Sequence, residues 1–191
     1  MTLNPLAWLR TSVLAAVVLA VFLATASGTV EAGKIHPNSR TGRAITRLAT
    51  PFVGPVRRTV EVGGGGLRLG YSFWFGITAV VTGALAASCL EWLAFPKRGI
   101  GEAATAPTRR TIAIAITVAF GIVLLLVLCG LWGSLRGAPR GSWWMAPFSL
   151  PTAWAVDGLA GKVPRVAALN LAAGVLYAAL RIGRWFFVRA T

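Results

Sequence analysis

The residues that could carry chemistry are few and widely separated along the 191-residue chain. The only histidine is His36, in a polar stretch beside Pro37. One histidine cannot supply paired haem ligands or the three or four ligands of a zinc site, so we expect a solvated loop residue. The sequence shows no Ser-His-Asp set, no nucleophile paired with a base and no paired carboxylates. We therefore expect a protein that is not an enzyme, with no catalytic or metal-binding residues, no cofactor and no small-molecule substrate.

The two cysteines, Cys89 and Cys129, lie near the exit ends of two successive apolar stretches. If these stretches are antiparallel helices, the thiols lie in opposite leaflets, roughly 15–20 Å apart along the membrane normal at 1.5 Å per residue. A disulfide needs Cα atoms within about 7 Å. We expect two free thiols, both acting as small core residues.

Two other polar residues stand inside apolar stretches. Glu91 lies five residues before Pro96 and close to Lys97 and Arg98, which predicts an ion pair at the membrane interface. An acid within a span could instead serve a proton or ion site. Asn170 lies deeper, and we expect it to form a hydrogen bond across a helix interface.

Four long apolar stretches must position these residues. The chain is 56% hydrophobic and only 13% charged, with a mean hydropathy of +0.71. No charge occurs in 11–30, 69–90 or 111–135, and each stretch has the roughly 20 residues that a helix needs to cross a bilayer. A fourth stretch begins at Val166 and meets Arg181 and Arg184 only in its last turns, where arginines can reach the headgroups. The sequence predicts an all-α membrane protein with spans near 8–30, 69–95, 111–135 and 166–188.

The first stretch has a second interpretation. Arg10, the apolar run 13–23 and the sequence Ala24-Thr25-Ala26 together resemble a signal peptide and its cleavage site. The charge-free run continues to Val30, however, which is long enough to span. We favour a retained helix and leave cleavage open.

The formal net charge of +14 indicates which partners to expect. Nearly all basic residues flank the apolar stretches, whereas nucleic-acid binders cluster them on a water-exposed face. Beside a span, each basic residue gains about 1 kcal/mol from anionic lipid. We expect anionic membrane lipids as partners, together with other membrane proteins or a second copy, and no nucleic acid.

The spans form two pairs, which suggests an internal duplication. The predicted units are 1–95 and 111–191, joined by a linker over 96–110. A Pro-Phe-x-x-Pro sequence precedes the second span of each unit, at 51–55 and at 147–151. In the second unit this segment is rich in aromatic residues suited to the headgroup level and has no arginine stripe: Trp143, Trp144, Phe148 and Trp154.

The segment between the first two spans predicts an amphipathic helix over about 39–50, with Ser39 as N-cap and Pro51 as its stop. Apolar residues recur at i, i+3, i+4 and i+7, and arginines occupy the opposite face: Ile45, Leu48, Ala49 and Phe52 against Arg40, Arg43 and Arg47. Such a helix lies in the membrane interface or packs on another subunit, and we favour the lipid. Arg57 and Arg58 extend the basic surface, and the glycines 63–66 form a flexible lead into the second span.

Small residues recur every fourth position in three of the spans. Such stripes allow close helix approach in lipid, so they predict a tight bundle or a face for another membrane protein rather than a wide pore. The stripes are Ser12, Ala16, Ala20, Ala24 and Gly28; Ala79, Gly83 and Ala87; and Asn170, Gly174 and Ala178.

Residues 38–66 resemble the signature of the YggT/YlmG family, in which a polar start leads into an arginine-bearing amphipathic helix, Pro-x-x-x-Pro-x-Arg-Arg and glycines. The residues that carry the match are Gly42, Arg43, Arg47, Leu48, Pro51, Phe52, Pro55, Arg57, Arg58, Gly65 and Gly66. Leu67 to Tyr71 stand where the family commonly has an acidic residue and Ser-Pro, and the second unit lacks the double arginine. The resemblance implies units of two spans, often paired in bacterial members.

The resemblance also implies a role rather than a mechanism. Its members look like membrane organising or assembly factors, associated in bacteria with cell division and with envelope or osmotic homeostasis. We therefore expect a multi-pass protein of the bacterial cytoplasmic (inner) membrane. The alternatives are an accessory subunit of a bioenergetic or transport complex, and a small ion channel or transporter using Glu91 and Asn170. Eleven basic residues lie in the two long loops and eight elsewhere, so the positive-inside rule leaves the orientation open.

Overall fold

Helices make up the regular structure of the part of the chain that the computed structural model describes, residues 5–61, 70–97, 100, 107–137, 143–159 and 163–190. In chain order they are α1 (Pro5–Glu31), α2 (Arg40–Glu61), α3 (Tyr71–Ala94), α4 (Pro107–Arg136), α5 (Ala146–Gly158) and α6 (Arg165–Ala190), with a 3-10 turn at Trp143–Met145 before α5.

Four of these helices, α1, α3, α4 and α6, are long and apolar enough to cross a membrane. They confirm the four predicted spans, and no end differs from its prediction by more than four residues. The agreement follows from the charge-free stretches, because a helix that must satisfy its own backbone in hydrocarbon continues until charged residues mark the headgroups. The chain is a multi-pass, all-α membrane protein.

Neighbouring spans run in opposite directions. A Cβ placed on Gly28 of α1 would lie 3.7 Å from that of Ser72 in α3, and one on Gly76 would lie 3.4 Å from that of Ala24. Along this contact the residue numbers of α1 decrease as those of α3 increase, so the two helices are antiparallel. We name the end where α1 and α4 finish and α3 and α6 begin the loop end, and the other end the terminal end.

The helices α3 and α6 run in parallel. Asn170 contacts Thr78 near the loop end, and Tyr177 contacts Ser88 further along. The helix α4 packs against both α3 and α6. It runs antiparallel to them. The core between them is apolar, and its largest fully buried side chains include Leu85, Leu124, Leu131 and Leu169.

The first span is peripheral. Within the described ranges α1 packs against α2 and α3 only, whereas α3 also packs against α4 and α6. In the most apolar stretch of α1, 6% of the residues are buried, against 39% in α3. Most of the α1 surface is therefore left for lipid or for another membrane protein.

The helix α2 is longer than predicted, since it continues through Pro51 and Pro55 to Glu61 instead of stopping at Pro51. A proline inside a helix removes one backbone hydrogen bond and costs about 3 kcal/mol or more. Packing opposes this cost, because Val56, beyond the predicted stop, is fully buried. Burial of one valine is worth about 1.5–3 kcal/mol, which offsets part of the cost of the two prolines, and the other contacts of α2 with the bundle add to it.

The segment between α4 and α6 also contains a helix, α5, which the sequence pattern did not predict. Phe148 of the second Pro-Phe-x-x-Pro sequence is fully buried and lies against Gly130 of α4, where any Cβ would overlap its ring. Trp143, in contrast, is 82% exposed, as a side chain at the headgroup level would be. Both halves thus place a shorter helix between two spans, and the duplication itself stays a prediction.

Candidate functional site

The helix α2 lies across the loop end of the bundle. Its 22 residues extend for about 33 Å and contact α1, α3, α4 and α6. Its start is fixed by side chains: the backbone N–H of Gly42 donates to Ser39 Oγ at 3.0 Å, and Ser39 Oγ donates to the His36 carbonyl at 2.7 Å. Ser39 is therefore the N-cap, as predicted, and His36 is an exposed residue of the turn that leads into the helix.

The surface of α2 has three sides. The inner side packs on the bundle, where Ala49 is 3% exposed and Val56 is fully buried. A flank beside it is apolar but open, with Leu48 64% and Phe52 52% exposed. The predicted apolar face is thus divided between the protein interior and the surroundings, and Phe52 keeps one ring contact with Phe75 at 6.2 Å between centroids.

The third side is basic. Arg40, Arg43 and Arg47 are all exposed and lie on the side of α2 away from the bundle. Arg57 and Arg58 fall in the last turns of α2, as does Pro55 after Pro51, but their side chains are outside the part of the chain that the structure describes. Gly65 and Gly66, with the predicted flexible lead, also lie outside the described residues.

A carboxylate that sequence reasoning missed joins α1 to α3. Glu31, the last residue of α1, accepts hydrogen bonds from the Ser72 backbone N–H at 3.2 Å and from Ser72 Oγ at 2.8 Å. An anion at a helix N-terminus satisfies free N–H groups and complements the helix dipole. Only the contact across 41 residues reveals this role, since the sequence shows Glu31 merely as the charge that ends a span.

A polar cluster lies towards the terminal end. Arg184 Nε of α6 donates to Thr117 Oγ1 of α4 at 3.3 Å, and its guanidinium lies 5.4 Å from the Trp92 ring centre. Glu91 precedes Trp92 on α3, and its ion pair with Lys97 and Arg98 stays a prediction, since Arg98 lies outside the described residues. Arg184 thus links α6 to α4 by a hydrogen bond and to α3 by its contact with the Trp92 ring.

Asn170 forms the predicted hydrogen bond across a helix interface. Its Nδ2 donates to Thr78 Oγ1 of α3 at 2.9 Å and to the Val166 carbonyl at 2.8 Å. The amide nitrogen is thereby committed to holding α6 against α3. Its Oδ1 is buried and has no hydrogen-bond partner among the residues that the structure describes.

The small-residue stripes have different surroundings. Ala24 of α1 is buried against α3, Ala20 is partly buried, and a Cβ on Gly83 of α3 would overlap the Val17 side chain. Ser12 and Ala16 are exposed on α1, whereas Gly28 is half-buried. Ala79 and Ala87 are half-buried in α3. On α6, Gly174 faces open space and Ala178 is exposed. The first stripe therefore packs on Ser72 and Gly76 of α3, and Gly83 of the second stripe packs on Val17 of α1.

Both cysteines are free, but they differ in burial. Cys89 is buried and donates to the Gly121 carbonyl of α4 at 3.6 Å. Cys129 lies eight residues beyond Gly121 on α4, about 12 Å further along the helix axis. It is exposed, so the prediction that both thiols are core residues is wrong for Cys129. An apolar helix does not reveal by its sequence which side faces lipid.

Within the described ranges, His, Cys, Asp and Glu form no group of three that could hold a metal ion. Compared with protein-family models, curated proteins and solved structures, the chain matches none of them. The surface best suited to a partner is therefore defined by geometry alone: the basic side of α2 and the open flank beside it.

Proposed function

We propose that the protein is a non-enzymatic organising or assembly factor of the bacterial inner membrane, which holds anionic lipid along α2 and gathers other membrane proteins around its bundle. The observation that carries the proposal is the position of α2. One side is packed on the bundle, while the exposed Arg40, Arg43 and Arg47 share a helix with the open flank of Leu48 and Phe52. This is the arrangement of an interfacial helix.

The energies favour lipid enrichment at this surface. Three arginines near an anionic surface gain about 1 kcal/mol each, and a gain of 1.4 kcal/mol is a tenfold preference. Because Ala49 and Val56 fix the helix to the bundle, the arginines need no folding step to reach the headgroups. The resemblance of 38–66 to the YggT/YlmG signature supports membership of that family and, with it, the organising role.

The lipid part of the proposal can be tested on the full chain in vesicles. A fluorophore on Leu48→Cys, in a Cys89→Ala, Cys129→Ala background, reports quenching by brominated phosphatidylglycerol relative to brominated phosphatidylcholine. We expect phosphatidylglycerol to be enriched about tenfold or more beside α2. Arginine-to-glutamine changes at positions 40, 43 and 47 should remove the enrichment.

A matched control removes three exposed basic residues at the terminal end: Lys97→Gln, Arg109→Gln and Arg110→Gln. This variant has the same net charge as the α2 variant and should keep the enrichment at position 48. Equal quenching by the two lipids in the unaltered chain would sink the lipid role. Equal losses in both variants would show a general charge effect instead.

The peripheral position of α1 favours a second candidate, an accessory subunit of a larger membrane complex. With 6% of the residues in its most apolar stretch buried, α1 offers the side that faces away from α3 to a neighbour. Extraction of tagged protein in mild detergent, with partners quantified by mass spectrometry, separates the two candidates. Stoichiometric bioenergetic or transport subunits would favour the accessory role, whereas envelope or division proteins at low occupancy would favour the organiser.

A further inference from the structure

A short turn joins the end of α1 to the start of α2, and several of its hydrogen bonds meet at His36. The His36 carbonyl accepts hydrogen bonds from the Ser39 backbone N–H at 3.0 Å and from Ser39 Oγ at 2.7 Å. Before it, the backbone N–H groups of Lys34 and Ile35 donate to the Thr29 carbonyl at 3.0 and 3.2 Å. The turn is therefore bonded to the last turn of α1 on one side and to the N-cap of α2 on the other.

The imidazole ring of His36 takes part in this turn. Its Nδ1 accepts a hydrogen bond from the backbone N–H of Asn38, two residues further on, at 3.2 Å. Asparagine and aspartate form the same bond to the second following residue in Asx turns, and they favour the start of a turn when proline follows them. Because Pro37 follows it, His36 occupies the position of such a residue, with a ring nitrogen in place of the side-chain oxygen.

The bond to Asn38 requires an unprotonated Nδ1. One nitrogen of a neutral imidazole is a donor and the other is an acceptor, whereas both nitrogens of the charged ring are donors. Histidine is the side chain whose charge ordinarily changes between about pH 5 and pH 8. His36 is exposed, so water reaches its ring. The Asn38 N–H therefore has an acceptor when the ring is neutral and loses it when the ring is charged.

The charges around the turn act in the same direction. Lys34 lies before the ring, Arg40 and Arg43 follow it in the first turn of α2, and all three are exposed. A helix N-terminus carries partial positive charge, so a cation beside it is unfavourable. The acid nearest in the sequence, Glu31 at the end of α1, is bonded to Ser72 of α3. A charged imidazole thus adds repulsion where the neutral ring adds a hydrogen bond.

The start of α2 depends on the backbone of this turn. The Gly42 N–H donates to Ser39 Oγ, which in turn donates to the His36 carbonyl. Gly42 is buried against the turn, where a Cβ would overlap the His36 carbonyl oxygen. The residue that titrates therefore also supplies the carbonyl on which the N-cap rests, and a rearrangement at His36 reaches α2 directly.

We propose that His36 makes the start of α2 sensitive to pH. Above about pH 7 the neutral ring closes the turn and supports the N-cap, and below about pH 6 protonation opens the turn and frays the first turn of α2. Acid thereby loosens the part of α2 that carries Arg40 and Arg43. The proposal concerns the turn itself and does not depend on the proposed function.

The test measures amide hydrogen exchange in the full chain, held in phosphatidylcholine nanodiscs at about pH 7.5 and about pH 5.5, a range in which histidine titrates. Mass spectrometry follows peptides that cover 37–44. After correction for the intrinsic pH dependence of exchange, we expect protection of this segment to be about three- to fivefold lower at the acid pH, as loss of one hydrogen bond would give. Peptides from the start of α5 are the internal control and should keep their protection, since His36 is the only histidine of the chain.

Two variants assign the effect to the ring nitrogen. His36→Asn keeps an acceptor for the Asn38 N–H and does not titrate, so the segment should stay protected at both pH values. His36→Ala has no acceptor, so the segment should exchange about three- to fivefold faster at the higher pH and show no further change at the lower. Because His36 is exposed, neither variant removes packing from the core.

Equal protection of the unaltered chain at the two pH values would overturn the proposal. A pH effect that persists in His36→Asn would belong to another group and would also overturn it. If His36→Ala is as well protected as the unaltered chain at the higher pH, the ring nitrogen does not hold the turn, and the proposal is wrong on that ground.

Discussion

At the scale of single residues, the interior of the bundle is held by a few hydrogen bonds between helices. Asn170 Nδ2 donates to Thr78 Oγ1, which itself donates to the Trp74 carbonyl at 2.8 Å. Measured bonds of this kind in membrane proteins average about 0.6 kcal/mol and reach about 1.7. Removing one partner costs more than removing both, since the remaining buried group is left without a partner.

We therefore expect Thr78→Val to lower the free energy of unfolding by about 1–2 kcal/mol, because it leaves an Asn170 N–H unpaired. Adding Asn170→Leu should cost little more, which gives a coupling of about 1 kcal/mol in a double-mutant cycle. Unfolding in mixed SDS micelles measures both. Thr25→Val, whose hydroxyl bonds only within exposed α1, is the control and should be nearly neutral. Strictly additive losses at positions 78 and 170 would contradict the contact.

The predictability of residues depended on whether their role was local. The sequence predicted that Asn170 bonds across helices, because an amide deep in an apolar span needs a partner, but it did not identify Thr78. It placed Cys129 in the core wrongly, because α4 is apolar on every side and has no polar face to orient it. The role of Glu31 depends on α3 returning beside the end of α1, which no local pattern encodes.

At the scale of elements, the start of α2 is defined by a close backbone approach. A Cβ on Gly42 would overlap the His36 carbonyl oxygen and lie 3.0 Å from that of Pro37. Gly54, in the same helix, has nothing within 4 Å of its Cβ position. The two glycines are thus a matched pair for separating helix propensity from steric fit.

We expect Gly54→Ala to be nearly neutral, because the gain in helix propensity of up to about 1 kcal/mol is opposed by the clash of a Cβ with the ring of the following Pro55. Gly42→Ala should destabilise α2 and free the turn before it, because backbone oxygens cannot move aside as a flexible side chain does. Limited trypsin digestion at Lys34, Arg40 and Arg43 measures this, with faster cleavage expected only for Gly42→Ala. Similar cleavage rates in the two variants would show that the turn is not held by this contact.

The elements were predictable where one physical rule dominated. Hydropathy and the spacing of charges predicted all four spans, because hydrocarbon leaves a backbone no alternative to a helix. The rule that proline stops a helix failed for α2, where buried Val56 lies beyond Pro51. The same rule left α5 unpredicted, although Pro147 occupies the first turn of that helix, where proline is tolerated, and Phe148 packs on Gly130. Tertiary packing decided both cases.

At the scale of the whole molecule, four antiparallel spans place both long loops on one side of the membrane. Single cysteines at Asn38 and Trp143, which are exposed, should react with an impermeant maleimide from the same side. One at Thr108 should react from the other side. The background is Cys89→Ala with Cys129→Ala, and sealed vesicles of known orientation give the readout. Labelling of positions 38 and 143 from opposite sides would contradict the four-span topology, and the labelled side fixes the orientation that charge counting left open.

Because α1 lies at the edge of the bundle, its contact with α3 determines its position in the molecule. The Cβ positions of residues 28 and 72 lie 3.7 Å apart, close to the separation in a disulfide, so Gly28→Cys with Ser72→Cys should cross-link readily in the cysteine-free background. Gly83→Leu adds bulk where Val17 already lies and should displace α1, lowering the cross-linking rate at least fivefold. Gly174→Leu adds the same bulk to open space on α6 and should leave the rate unchanged. If Gly83→Leu also cross-links at the unaltered rate, α1 is held mainly by contacts other than the one between Gly83 and Val17; if it slows, that close approach positions the surface that α1 offers to a partner.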